Sequence, residues 1–123
     1  MLYTSYYANV KKLGNIVPIC ISQKVPFYAS KLKRYRALAP SWEIINSPSS
    51  EYVKLYYELI LRKLQPFEVL NDLSAIANNK EFALICYECP GKFCHRHIVA
   101  DWLQSNTGVQ FEEYDINKNY ALF

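Results

Sequence analysis

Phe82-Ala83-Leu84-Ile85-Cys86-Tyr87-Glu88-Cys89-Pro90-Gly91-Lys92-Phe93-Cys94-His95-Arg96-His97 is the stretch whose reading decides the fold. Its first part, Phe82 to Tyr87, is an unbroken apolar run between polar flanks, and such a run suits a central buried strand of a parallel sheet. From Cys94 to Ser105 the period changes. Ile98, Val99, Trp102 and Leu103 recur at helical spacing, and Gly108 reads as the residue that stops the helix. Val109 to Tyr114 then alternates weakly, as a last strand does. Strand, helix and strand make a βαβ unit, which predicts parallel strands and a right-handed crossover.

Upstream, Tyr3 to Ala8 is aromatic and β-prone. Lys11 to Asn15 is a polar turn, and Ile16 to Ile21 is a second apolar run whose Pro18 points to an edge or a bulge. Ser30 to Ala39 reads as a short helix closed by Pro40. Ser47-Pro48 reads as an N-cap followed by proline at the first helical position. The helix after it, Glu51 to Leu64, has Tyr52, Leu55, Tyr56, Leu59 and Ile60 at helical spacing. Pro66 opens another helix that ends at Asn78-Asn79. The expectation is one α/β domain over residues 1–123, a small three-layer Rossmann-like fold. Its mostly parallel sheet has about four strands flanked by helices. In such sheets ligands bind beyond the carboxyl ends of the strands, which directs attention to the loop after Tyr87.

Composition sets outer limits. The chain has 123 residues, 51% of them hydrophobic and 20% charged, so a packed core is expected and disorder is not. Residues 1–42 hold seven Lys or Arg and no Asp or Glu, while the remainder holds the other seven basic residues and all eleven acidic ones. That split excludes a uniformly basic nucleic-acid coat and an acidic tail. No run approaches the roughly 18 apolar residues of a membrane span, and Met1 to Tyr7 lacks the pattern of a secretory signal. The expected compartment is cytoplasmic, where thiol or metal chemistry is a better question than structural disulfides.

Four readings compete for the segment from Cys86 to His97. A helix N-terminus near Cys94 offers backbone N–H groups and a positive dipole end to an anion. Arg96 could clamp that anion, with Glu88 orienting Arg96 or His95. Cys94, at the helix start beside His95 and Arg96, fits a reactive thiol, and His95 is the candidate acid or base. The cysteine-phosphatase spacing fails, because in the pattern Cys, five residues, Arg the nucleophile's place before Arg96 is held by Pro90. Cys86, Cys89, Cys94 and a histidine can be drawn as a zinc set, but the spacing matches no recognised finger or knuckle, and no metal ligand is assigned. Last, Lys31, Lys33, Arg34 and Arg36 with Tyr28 and Tyr35 could bind nucleic acid.

The resulting candidate set is His95, Cys94 and Glu88 as catalytic groups, with Arg96, Cys86, Lys31 and Arg34 contacting a small anionic ligand. That ligand would be a nucleotide or a phosphorylated metabolite. A nucleic-acid-binding or other accessory domain and a zinc module stand as alternatives, and no cofactor follows. Cys86 and Cys94 are expected to be neighbours, whether as thiols, a disulfide or ligands.

Leu84 to Glu88, then Cys94-His95-Arg96, then Ala100-Asp101-Trp102-Leu103 resembles the signature of domain-of-unknown-function family 488: an apolar strand ending in Cys-x-Glu, and Cys-His-Arg at a helix start. The likeness covers residues 40–104 well and the N-terminal third loosely. It implies a compact α/β domain with the cysteine loop at the carboxyl edge of the sheet, and carries over Cys86, Glu88, Cys94, His95 and Arg96. Many members have Asp-x-Arg after the second strand, where this chain has Ile21-Ser22-Gln23. The resemblance implies no reaction.

Overall fold

The structure is a computed structural model, and it describes residues 1–87 and 94–115. Five parallel strands form one sheet in the order β3-β2-β4-β1-β5: β1 is Leu2–Tyr6, β2 Val17–Cys20, β3 Lys33–Arg34, β4 Phe82–Cys86 and β5 Phe111–Glu113. The α-helices are α1 (Trp42–Ile45), α2 (Ser49–Leu59), α3 (Pro66–Ile76) and α4 (His95–Thr107). This is a small α/β domain. No helix among the described residues is long and apolar enough to cross a membrane.

The unbroken apolar run is the central strand. All five residues of β4 are buried, between β1 on one side and β2 on the other. The side chains of alternate residues point to opposite faces. Phe82 and Leu84 join Ile19 in a cluster with Ile44 of α1, Tyr56 of α2, Leu73 of α3 and Leu103 of α4. Ala83 and Ile85 join Tyr3 and Cys20 on the other face, which Leu13 and Ala29 cover. The α-helices therefore all pack on one face, whereas the expected flanking covered both. The second face is closed by 3-10 turns (Tyr7–Lys12 and Phe27–Ala29) and loops.

The sheet has one strand more than expected, because residues 30–39 do not form a helix. Lys33–Arg34 pairs with Ile19 and Cys20, the Tyr35 N–H donates to the Cys20 carbonyl, and only Arg36–Leu38 turns as a 3-10 element. Side-chain partners hold the segment extended: Lys33 Nζ donates to the Ile76 carbonyl, and the Tyr35 hydroxyl to Asp72. This strand also explains Pro18, which pairs in register with Ala83 inside the sheet. The neighbouring Val17 N–H points toward β4 and donates to the Glu81 carbonyl. Alternation turns the Pro18 nitrogen to the opposite side, where β3 reaches only Ile19 and Cys20, so its missing donor leaves no ladder bond unmade.

Helix ends follow local chemistry. Pro48 is the N-cap of α2, one residue later than expected, and the Ser47 hydroxyl donates back to the Ile44 carbonyl. Asn78 and Asn79 take positive φ (55° and 62°) after α3, and the Asn79 N–H donates to the Ser74 carbonyl. Gly108 closes α4 at φ 78°.

Two adjacent strands matter for the site. The chain leaves β2 along the face of the 3-10 turns and leaves β4 through α4 on the helical face. Where neighbouring connections part in this way, a crevice opens at the carboxyl ends of the strands.

Candidate functional site

The crevice is a cavity of about 480 Å³, within the range of small-molecule sites. Its floor is Cys86 at the end of β4, Cys94 at the N-cap of α4, and His95 in the first turn of α4. Ser22, Gln23 and Lys24, following β2, form one wall. Trp42, Ser49 and Tyr52 of α1 and α2 form the other, and Tyr87 stands at the mouth. Among the described lining residues none is a carboxylate. Ser49 is the first residue of α2 and His95 the first of α4, so two helix N-termini open on this space, and neither carries a side-chain cap bond. Lys24 adds a formal charge and lies 5.5 Å above the Trp42 ring. The described lining residues give the cavity a positive electrostatic sign.

His95 is 5% exposed, and its Nε2 is 2.7 Å from the Ile21 carbonyl oxygen. A carbonyl only accepts, so Nε2 carries the proton and Nδ1 keeps its lone pair. Burial, with the Arg96 charge acting in the same direction and the Ile21 bond opposing, lowers the His95 pKa to about 4. His95 is thus a neutral imidazole at pH 7, with Nδ1 3.9 Å from the Cys94 sulfur.

The sulfurs of Cys86 and Cys94 are in bonding contact, as a disulfide. Cys86 also accepts from Arg96 Nη1 at 3.2 Å. The donor atoms of Cys86, Cys94 and His95 lie within 4.8 Å of one another. As reduced thiols with a neutral imidazole they are the kind of set a soft metal takes, whereas the bonded pair leaves His95 alone as a donor.

Arg96 is fully buried. Its Nε and Nη2 donate to the two carboxylate oxygens of Glu113 at 3.0 and 3.1 Å, a bidentate pair joining α4 to β5. Thr4 and His97 also bond to Glu113, at 2.6 and 3.0 Å. Burial alone would raise the Glu113 pKa, but the bonds from His97, Arg96 and Thr4 and the Arg96 charge outweigh it, so the pKa is lowered.

The structure thus brings together Cys86, Cys94 and His95 on the cavity floor. Arg96 sits behind them and does not line the cavity. Arg34 lies outside the lining as well; its Nη2 donates to the Ser22 and Gln23 carbonyls and so braces the wall loop. Lys31 is exposed on the surface. Glu88 lies outside the described residues, as does Cys89. Sequence reasoning missed Glu113, and a signal was available: an arginine in a helix's first turn is unfavourable with the dipole and needs an acid, and the last strand ends in Glu112-Glu113. It also missed Lys24, Trp42, Ser49 and Tyr52, whose approach to the cysteines depends on tertiary packing.

A parallel sheet with a Cys-His-Arg helix start at its carboxyl edge defines a class of small α/β domains. The chain belongs to the DUF488 family: the model described as the active DUF488-N3 subclade, DUF488-N3a, matches residues 2–107. No curated protein and no solved structure matches it.

Proposed function

We propose that the chain binds, and turns over, a small anionic ligand such as a nucleotide or a phosphorylated metabolite in the cavity above Cys86, Cys94 and His95. One observation carries this reading: the cavity is lined by Lys24 and two helix N-termini, with no carboxylate among the described lining residues. Phosphate oxygens find backbone N–H donors and a positive dipole end at such helix starts. The crevice between β2 and β4 supports the Rossmann-like comparison, since that is where such folds take their ligands. Trp42 offers a ring face to a nucleobase, and Ser49 offers a hydroxyl to a sugar.

The chemistry assigned here belongs to Cys94 as thiol, with His95 as a neutral hydrogen-bond acceptor. With the pair reduced, His95 Nδ1 faces the Cys94 sulfur, and the Arg96 guanidinium favours the thiolate form of Cys86. Arg96 is a positioning residue in this reading, because its fork is held by Glu113.

Calorimetric titration with a panel of nucleotides and sugar phosphates tests the reading. Saturable binding is expected, weakened about tenfold or more by charge reversal at the exposed Lys24 (Lys24→Glu). A panel in which nothing binds refutes it. Elemental analysis of protein purified with reductant and without chelator decides the zinc alternative: stoichiometric zinc favours that alternative, and trace zinc ends it.

A further inference from the structure

Beside the cavity mouth, the loop after β2 carries large apolar side chains into water. Phe27 is 94% exposed and Tyr28 is 73% exposed. Their 3-10 turn is anchored by Ala29, which is buried under the sheet, so the two rings are held outward on a fixed base. The rings do not stand alone. Tyr87 is 48% exposed and close enough to Tyr28 for the latter to raise its pKa, after the larger effect of burial. Trp42, 51% exposed, carries Lys24 over its face. Lys24 and Lys31, both exposed, bracket the Phe27–Tyr28 pair in sequence, and no acid occurs anywhere in residues 1–42.

Exposed rings interleaved with cations have a specific use. Each ring offers a π-face to a base, and each ammonium meets a phosphate of the connecting backbone. Protein interfaces also favour aromatic residues but are depleted of lysine, whereas here the rings are interleaved with the exposed Lys24 and Lys31. We infer that the Phe27–Tyr28 rim is a binding surface for single-stranded nucleic acid, which runs from the rim into the cavity so that the ligand occupying the cavity is one nucleotide of the strand. The inference deepens the anion-binding reading and rests on it for the seat of that one nucleotide. Base stacking on Phe27 and Tyr28 is its own content, and it differs from the expectation that the Lys31–Arg36 segment is the contact. Lys33 and Arg34 are committed to the Ile76, Ser22 and Gln23 carbonyls.

The test is fluorescence anisotropy with a short labelled oligothymidylate, its RNA counterpart and a duplex of the same length, alongside calorimetry with thymidine 5′-monophosphate. The variants are Phe27→Ser/Tyr28→Ser and Lys31→Glu. These residues are exposed, and thermal melting checks that folding is retained. The expected result is single-strand binding tighter than duplex binding and weakening as salt rises. The double serine variant should lose about tenfold or more of that affinity, with mononucleotide binding unchanged. If the mononucleotide binds while the oligonucleotide binds no tighter and ignores the Phe27/Tyr28 change, the rim proposal fails and the cavity reading stands; a protein partner then becomes the occupant to seek. If the oligonucleotide binds through Phe27 and Tyr28 but the mononucleotide does not bind, the rim stands and the cavity reading fails. If neither binds at low salt, both fall.

Discussion

Arg96 and Glu113 illustrate how a single buried charge organises the site. A fully buried guanidinium is tolerable only if its hydrogen bonds and charge are met. The Glu113 carboxylate meets them from β5, and Thr4 and His97 hold that carboxylate in place. Replacing Glu113 by Gln leaves the cation under-compensated, at an expected cost of about 3 kcal/mol in urea unfolding. Removing Glu81, half-exposed beside the N-terminal ammonium at 3.7 Å, is expected to cost less than about 0.5 kcal/mol.

His95 predicts a pH dependence. Its folded pKa, about 4, lies below the ordinary 6.5. The unfolded chain therefore takes up a proton that the folded chain refuses as pH falls between those values. Stability is lost over that window, up to on the order of 3 kcal/mol. Glu113, also lowered, loses its contribution further down, as pH falls below the ordinary carboxylate range. Unfolding free energy measured from pH 7 to pH 4 should fall, and His95→Gln should flatten the limb between 6.5 and 4. An unchanged slope in that variant would assign the acid limb to another group.

The elements of this fold answer to local rules unevenly. Gly108 at φ 78° ends α4, and a Cβ added there would meet nothing within 4 Å. Gly108→Ala should therefore cost only its conformational strain, about 1 kcal/mol by thermal or urea melting. A markedly larger loss would point to a clash the structure does not contain. Elements whose own residues decide them were legible: the apolar run of β4, the proline that opens α3, the asparagines that close it, and the period of α4. Residues 30–39 were not legible. A two-residue strand has no period to detect, and what holds it extended are partners far along the chain, Cys20, Asp72 and Ile76. Pro18 misled for a related reason, since its tolerance depends on how short β3 is.

For the whole molecule, the candidate site divides along the same line. Its floor was readable because Cys86, Cys94 and His95 sit within ten residues and the strand–loop–helix pattern brings them together. Its walls were not, because Lys24, Trp42 and Ser49 come from separate loops and helices that meet only when α1 and α2 close over β2 and β4. The sequence assigned Arg96 to a ligand, and the fold assigns it to Glu113. A ligand that binds only the folded chain must also stabilise it, by about 2.7 kcal/mol at a concentration one hundred times its Kd. The same nucleotide titrated against Lys24→Glu should give a smaller shift in melting temperature.

The central claim is that an anion sits between Lys24 and the first turns of α2 and α4. A crystal of the protein soaked with sulfate and, separately, with a nucleotide tests it most directly. The account predicts anion density within hydrogen-bond reach of Lys24 Nζ or of the first-turn backbone N–H groups of α2 or α4, above the Cys86–Cys94–His95 floor. A soaked crystal with that cavity open to solvent and no such density there, or with the nucleotide bound at another place on the molecule, would contradict it.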